Sequence, residues 1–241
     1  MLQRIADGVW SQESVVAMGP GGVFRMPCRA TIVRLDDGGL VVHSPIAMDD
    51  RAASELDALG DVRALVAPNA MHWLFLAAAK ARYPKARVLA APRLSQKLAG
   101  FAFEPLPARG GLDGLDGLRV ERVQGASGID EHVFLHEASR SLLVTELLFN
   151  IHACESFWMR ALLRVSGTWR KTAQSRAWRM FVDDRAAAAR SATAILSLDF
   201  ARVVPAHGEP IEDDARARTR EALRWMTAGA PPLLGEGSLP A

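Results

Sequence analysis

Short apolar runs broken by turn residues fill the first 150 positions, and helical periodicity takes over after them. Ile5 to Trp10 reads as a first strand with a turn. Arg29 to Leu35 alternates apolar and polar positions, and Leu40 to Ser44 is a compact apolar run. Between them, Asp36-Asp37-Gly38-Gly39 supplies the φ > 0 positions of a tight hairpin. Ser14 to Met26, carrying Gly19-Pro20-Gly21-Gly22, has no periodicity and is expected to be irregular. Ala52, Leu56 and Leu59 recur at helical spacing, so Asp49 to Leu59 is predicted helical, closed by Gly60. Ala64–Ala67, a helix over 73–82 and a strand over 87–91 then form a strand–helix–strand unit with parallel neighbours. The Gly- and Asp-rich stretch 93–117 reads as loop. Strands follow at 118–124, 132–137 and 141–146.

From residue 150 the chain changes. Trp158, Leu162 and Val165 fit one helical stripe, and Asp183 to Ser197 is an Ala-rich helix with an acid at its N-terminus. Arg202–Ala206 is a last strand, and Ala215–Met226 is an amphipathic closing helix. Hairpins, one crossover, a second β-rich run and late helices predict an α/β (α+β) chain. The expected architecture is a sandwich of two mixed sheets with helices outside, not one doubly wound sheet. The expected organisation is a single domain over 1–227 with a helical insertion at about 150–198, then a flexible Pro- and Gly-rich tail over 228–241.

Composition changes this picture little. With 241 residues, 49% hydrophobic and 23% charged, the chain suits a globular core. A net charge of +2 is too small to argue for nucleic acid. Arg160, Arg164, Arg170, Lys171, Arg176 and Arg179 do interleave with Trp158, Trp169 and Trp178, and the plainer reading is a solvated face with its tryptophans packed inward. Two cysteines form no metal pattern and are expected to be reduced. No uninterrupted apolar stretch of about 18 residues occurs, so no membrane span is expected, and a cytoplasmic location follows.

Candidate chemistry lies at strand ends. His43, His72 and His207 end or follow predicted strands, and Glu146 closes the apolar run Leu142-Leu143-Val144-Thr145. A carboxylate ending a buried strand is costly unless it is paired or binds a cation. Imidazole nitrogen with carboxylate oxygen is a donor set for zinc or iron.

On these residues the chain resembles the metallo-β-lactamase superfamily, whose fold is an αββα sandwich of metal-dependent hydrolases. Val203-Val204-Pro205-Ala206-His207-Gly208 is similar to the family's late strand with its His-Gly pair. Leu142 to Phe149 is similar to its strand ending in Gly-Asp, and Ala67 to Trp73 stands where it has Thr-His-x-His-x-Asp-His. In this alignment Pro68 and Ala70 replace the first two histidines, His72 replaces the aspartate and Trp73 the last histidine. The mid-chain histidine is missing near Gln124, and Glu146 replaces the bridging aspartate. The resemblance therefore implies a bacterial branch with a reduced metal motif, at most mononuclear.

Two functions are compatible with these residues. One is a hydrolase with one zinc, iron or manganese ion on His72, Glu146 and His207, with His43, Asn69 and Trp73 facing the substrate cleft. The other is a metal-free relative that keeps the cleft for ligand binding. The expected partner is a small molecule whose identity the sequence does not choose. Neither a membrane nor a nucleic acid is expected as partner, and a homodimer is compatible with the tryptophan-bearing segment.

Overall fold

The structure is a computed structural model that describes residues 1–228; the rest of the expected tail lies outside them. Strands β1 (Gln3–Ala6), β2 (Val9–Met18), β3 (Phe24–Arg34), β4 (Leu40–His43), β5 (Val62–Ala67), β6 (Arg87–Ala90) and β7 (Glu104–Pro105) build one sheet in sequence order. Its first three pairings are antiparallel and its last three parallel. The second sheet runs β12 (Arg202–Pro205), β11 (Ser141–Val144), β10 (His132–His136), β9 (Leu118–Arg122) and β8 (Arg109–Gly111). Only its β11–β12 pair is parallel.

Three apolar layers define the packing. Val33, Val41 and Val66 of the first sheet meet Val120, Phe134, Leu143 and Val204 of the second. Side chains of the opposite parity, Ile32, Val42 and Leu65, pack outward on Leu56 of α1 (Asp50–Leu59) and Leu76 of α2 (Leu76–Arg82). On the other outer face, Val133, Leu142 and Val203 meet Ala192 and Ile195 of α4 (Arg185–Ser197) and Leu223 of α5 (Ala215–Thr227). The period-2 alternation of each strand thus feeds two layers at once, giving the helix–sheet–sheet–helix sandwich expected from the sequence. Helix starts are set locally: Asp49 accepts from the Ala52 amide and Asp184 from the Ala187 amide, each satisfying a donor that has no partner inside the helix.

Three expectations change. The stretch over 14–26 is ordered as a long hairpin, with β2 and β3 in register from Val9 opposite Val33 to Met18 opposite Phe24. Its outer half projects into solvent, with Val15 and Met18 exposed, so no buried face imposes an alternation. The 73–82 helix begins at Leu76, because the Asn69 side chain holds the preceding residues in turns. Finally, Trp158, Leu162 and Val165 lie on the outer face of α3 (Phe157–Ser166), while Met159 and Leu163 point inward. Trp178 is buried, and Trp169 is half-buried against Ile151 and Leu163.

Candidate metal centre

The parallel register of β11 and β12 pairs Val144 with Pro205. Two residues beyond each strand, Glu146 and His207 therefore leave the sheet side by side. His72 arrives from the other sheet, five residues after β5 ends. The two sheets are tied together here by His132 N–H donating to the Pro68 carbonyl and Ala70 N–H to the Ile129 carbonyl, both at 2.9 Å.

The three side chains converge on a small triangle. His72 Nε2 lies 3.1 Å from Glu146 Oε1, His207 Nε2 lies 3.3 Å from the same oxygen, and the two imidazole nitrogens are 3.2 Å apart. Their side chains are 11, 18 and 4% exposed, so the triangle opens on one side only. A tetrahedral zinc with bonds of about 2.0–2.1 Å has ligand–ligand edges of roughly 3.3 Å. The observed edges meet that requirement, so the donor set fits one metal ion in both chemistry and spacing.

The outer nitrogens and neighbouring rings are also engaged. His72 Nδ1 is 2.7 Å from the Ser44 hydroxyl. His207 Nδ1 donates to the Pro27 carbonyl at 2.9 Å, which leaves Nε2 with its lone pair toward the triangle when the ring is neutral. The Cys28 sulfur lies 3.8 Å from that Nδ1, and Phe149 stacks on the His207 ring, 4.9 Å between centroids. Burial opposes charge on both Glu146 and His207, and their contacts reverse that effect. The two imidazoles hold the Glu146 carboxyl below the usual carboxylate range. Cys28 and Glu146 hold the His207 ring well above the usual imidazole range.

A second buried carboxylate supports the first. Glu131 accepts from the backbone amides of Thr145 (2.8 Å), Glu146 (2.9 Å) and Leu147 (3.1 Å), and from the Asn69 amide (3.0 Å). Asn69 also donates to the Thr145 hydroxyl, and its Oδ1 accepts from the Met71 and His72 amides. One buried network thus fixes the backbone that carries both His72 and Glu146.

The residues expected at the site separate accordingly. His72, Glu146 and His207 come together, and Trp73 lines the cleft beside them. Asn69 does not face the cleft: it is fully buried and serves the Glu131 network. His43 is also buried, edge-on to Phe134 with its Nε2 unpartnered, and burial drives its pKa down to about 3. His132 and His136 are structural, with Nδ1 of His132 on the Asp130 carbonyl and Nε2 of His136 on the Arg34 carbonyl. Sequence reasoning missed Glu131 and Ser44. For Glu131 a trace was available: an acid directly before a strand, His132–His136, that is apolar in its middle.

Two mixed sheets face to face, helices outside, and a polar cluster where parallel strands end together define the metallo-β-lactamase fold. FIM-1 from Pseudomonas aeruginosa, solved in a mono-zinc form, is 15% identical with a TM-score of 0.62 over 96% of each chain. DIM-1 metallo-β-lactamase exposed to ceftazidime is 13% identical, with a TM-score of 0.62 over 93% of this chain and 96% of its own. A metallo-β-lactamase from Erythrobacter litoralis is 17% identical, with a TM-score of 0.56 over 93% and 92%. At such identities the likeness establishes the fold alone. Residues 6–96 match the family model described as "Domain of unknown function (DUF4336)". No curated protein matches the sequence significantly.

Proposed function

We propose that this protein is a metal-dependent hydrolase with a mononuclear centre held by His72 Nε2, Glu146 Oε1 and His207 Nε2. The carrying observation is the triangle itself, three donors of metal-binding type with edges of 3.1–3.3 Å and one open side. Imidazole and carboxylate together suit zinc, and iron or manganese accepts the same donors. A bound divalent ion would supply Lewis acidity toward a substrate oxygen and toward water. The chain's own groups position and shield. Ser44 and the Pro27 carbonyl orient the two rings, Glu131 and Asn69 hold the backbone beneath Glu146 and His72, and the apolar wall near Trp73 limits water access.

Metal content by mass spectrometry tests this, on protein purified without added metal or chelator and on His207→Ala beside it. About one ion per chain, lost in the variant, is the expected result. A second reading has its own support. Both imidazoles already satisfy Glu146, so the cluster closes its hydrogen bonds as a metal-free ligand-binding cleft. Failure to take up zinc, iron or manganese would overturn the metal centre and favour that reading.

A further inference from the structure

The triangle forms part of the wall of a cavity of about 350 Å³, a size at the small end of ligand pockets. Its walls are apolar and come from two sides. The β2–β3 hairpin contributes Met18 and Met26, and the segment after β5 contributes Met71, Trp73 and Leu74. Met18, Met71 and Leu74 are 41, 42 and 60% exposed, so the mouth offers apolar surface to whatever enters.

Outside the triangle this lining carries no charged side chain among the described residues: Glu146 is its one carboxylate, and no Lys or Arg lines it. Lys97, which lies over the Trp73 ring, is tied to the Ala70 carbonyl at 2.7 Å. The protein does not lack cations, having 29 Lys and Arg in all. Four of them, Arg63, Arg82, Lys85 and Arg87, gather on another cavity of about 490 Å³ near the N-terminal ends of β5 and β6. Anionic ligands are held by cationic clamps or clustered amide donors, and the cleft wall has no cationic clamp.

We infer that the cleft takes a neutral carbonyl compound with an apolar chain, and discriminates against ligands bearing a carboxylate or phosphate. This rests on the reading that the cleft beside His72, Glu146 and His207 is the substrate site. The carbonyl end sits toward the polar triangle, and the chain lies along the methionines and Leu74.

Octanamide and octanoate match in length and differ in charge, and calorimetric titration of the full chain reads their affinities. The decisive sample is treated with chelator, so that a carboxylate gains nothing from a metal ion. Octanamide is expected to bind about tenfold or more tightly than octanoate, because the apolar lining offers a desolvated carboxylate no Lys or Arg partner. It is also expected to bind about tenfold more tightly than butanamide. Half-burial of four methylenes, at a factor of about four for each one buried, accounts for that ratio. Leu74→Arg, at an exposed position, should bring octanoate to within about threefold of octanamide. Equal or better binding of octanoate to the chelated wild type overturns the inference. So does no binding of octanamide, or no dependence on chain length. None of these results bears on metal content, so the mononuclear centre stands or falls separately.

Discussion

Glu131→Gln tests whether the second buried carboxylate works as an anion. Four donors reach Glu131: Thr145 and Leu147 amides on Oε1, and the Glu146 amide and Asn69 Nδ2 on Oε2. Glutamine keeps one oxygen and turns an NH2 group toward the other pair, leaving two buried donors without an acceptor. Asn69 cannot rescue its contact by flipping, because its Oδ1 already serves the Met71 and His72 amides. Each orphaned buried donor costs about 1–3 kcal/mol, so the variant should lose roughly 2–6 kcal/mol. That is a large share of the roughly 5–15 kcal/mol by which domains are stable. Urea unfolding at pH 7, followed by tryptophan fluorescence and circular dichroism, measures the loss. Burial and the Glu146 charge raise the Glu131 pKa above its unfolded value of 4.5, while the four donors pull it back. Ionisation of this group therefore costs folded-state stability as pH rises from 4.5 through the folded value. Glutamine does not titrate, so by this linkage the gap between wild type and variant should widen as pH falls through that window. A loss below about 0.5 kcal/mol at pH 7 would refute the anchoring role.

Three further outcomes follow from the geometry. His43 stays neutral when folded, with its pKa lowered from 6.5 to about 3, so its stabilising contribution is complete above pH 6.5 and is lost as pH falls toward 3. At about pH 4.5 the loss should be about 2–3 kcal/mol, and His43→Leu should flatten that part of an acid-unfolding profile whatever its effect at neutral pH. Gly208 has φ +94°, and an added Cβ would lie 2.2 Å from the Asn150 carbonyl oxygen. Gly208→Ala should therefore cost on the order of 3 kcal/mol in chemical unfolding and disturb His207 next to it; a loss under about 1 kcal/mol would contradict the close approach. Ser44→Ala removes the partner of His72 Nδ1, and zinc affinity by competition with a chromogenic chelator should fall about 10–100-fold with the fold intact.

The sheet architecture was legible because most strands are buried on a predictable parity. Leu40–His43 and Ser141–Val144 are buried at every position, and the turns that bound them carry Gly, Asp or Ser. The β2–β3 hairpin was not legible for the opposite reason. Beyond Glu13 its burial alternates only weakly, and Gly19 to Gly22 read as a loop when they form the turn of a paired ribbon. The outward stripe of α3 shows a related limit: helical spacing identifies a face, but not whether that face is covered. Within the site, residue type at a strand end was enough for Glu146 and His207, because parallel pairing brings strand ends to one level. His72 required more. Nothing local places its ring beside the other two; that depends on Asn69 gripping the turn through its Oδ1 while its amide is held by Glu131 from the other sheet. Asn69 read as a cleft residue because it sits at the mouth in sequence, yet its amide points inward and its work is structural. The centre is therefore built by groups that never face the cleft. The three donors meet in one compact triangle because that buried support fixes the turn before His72 and the backbone of Glu146.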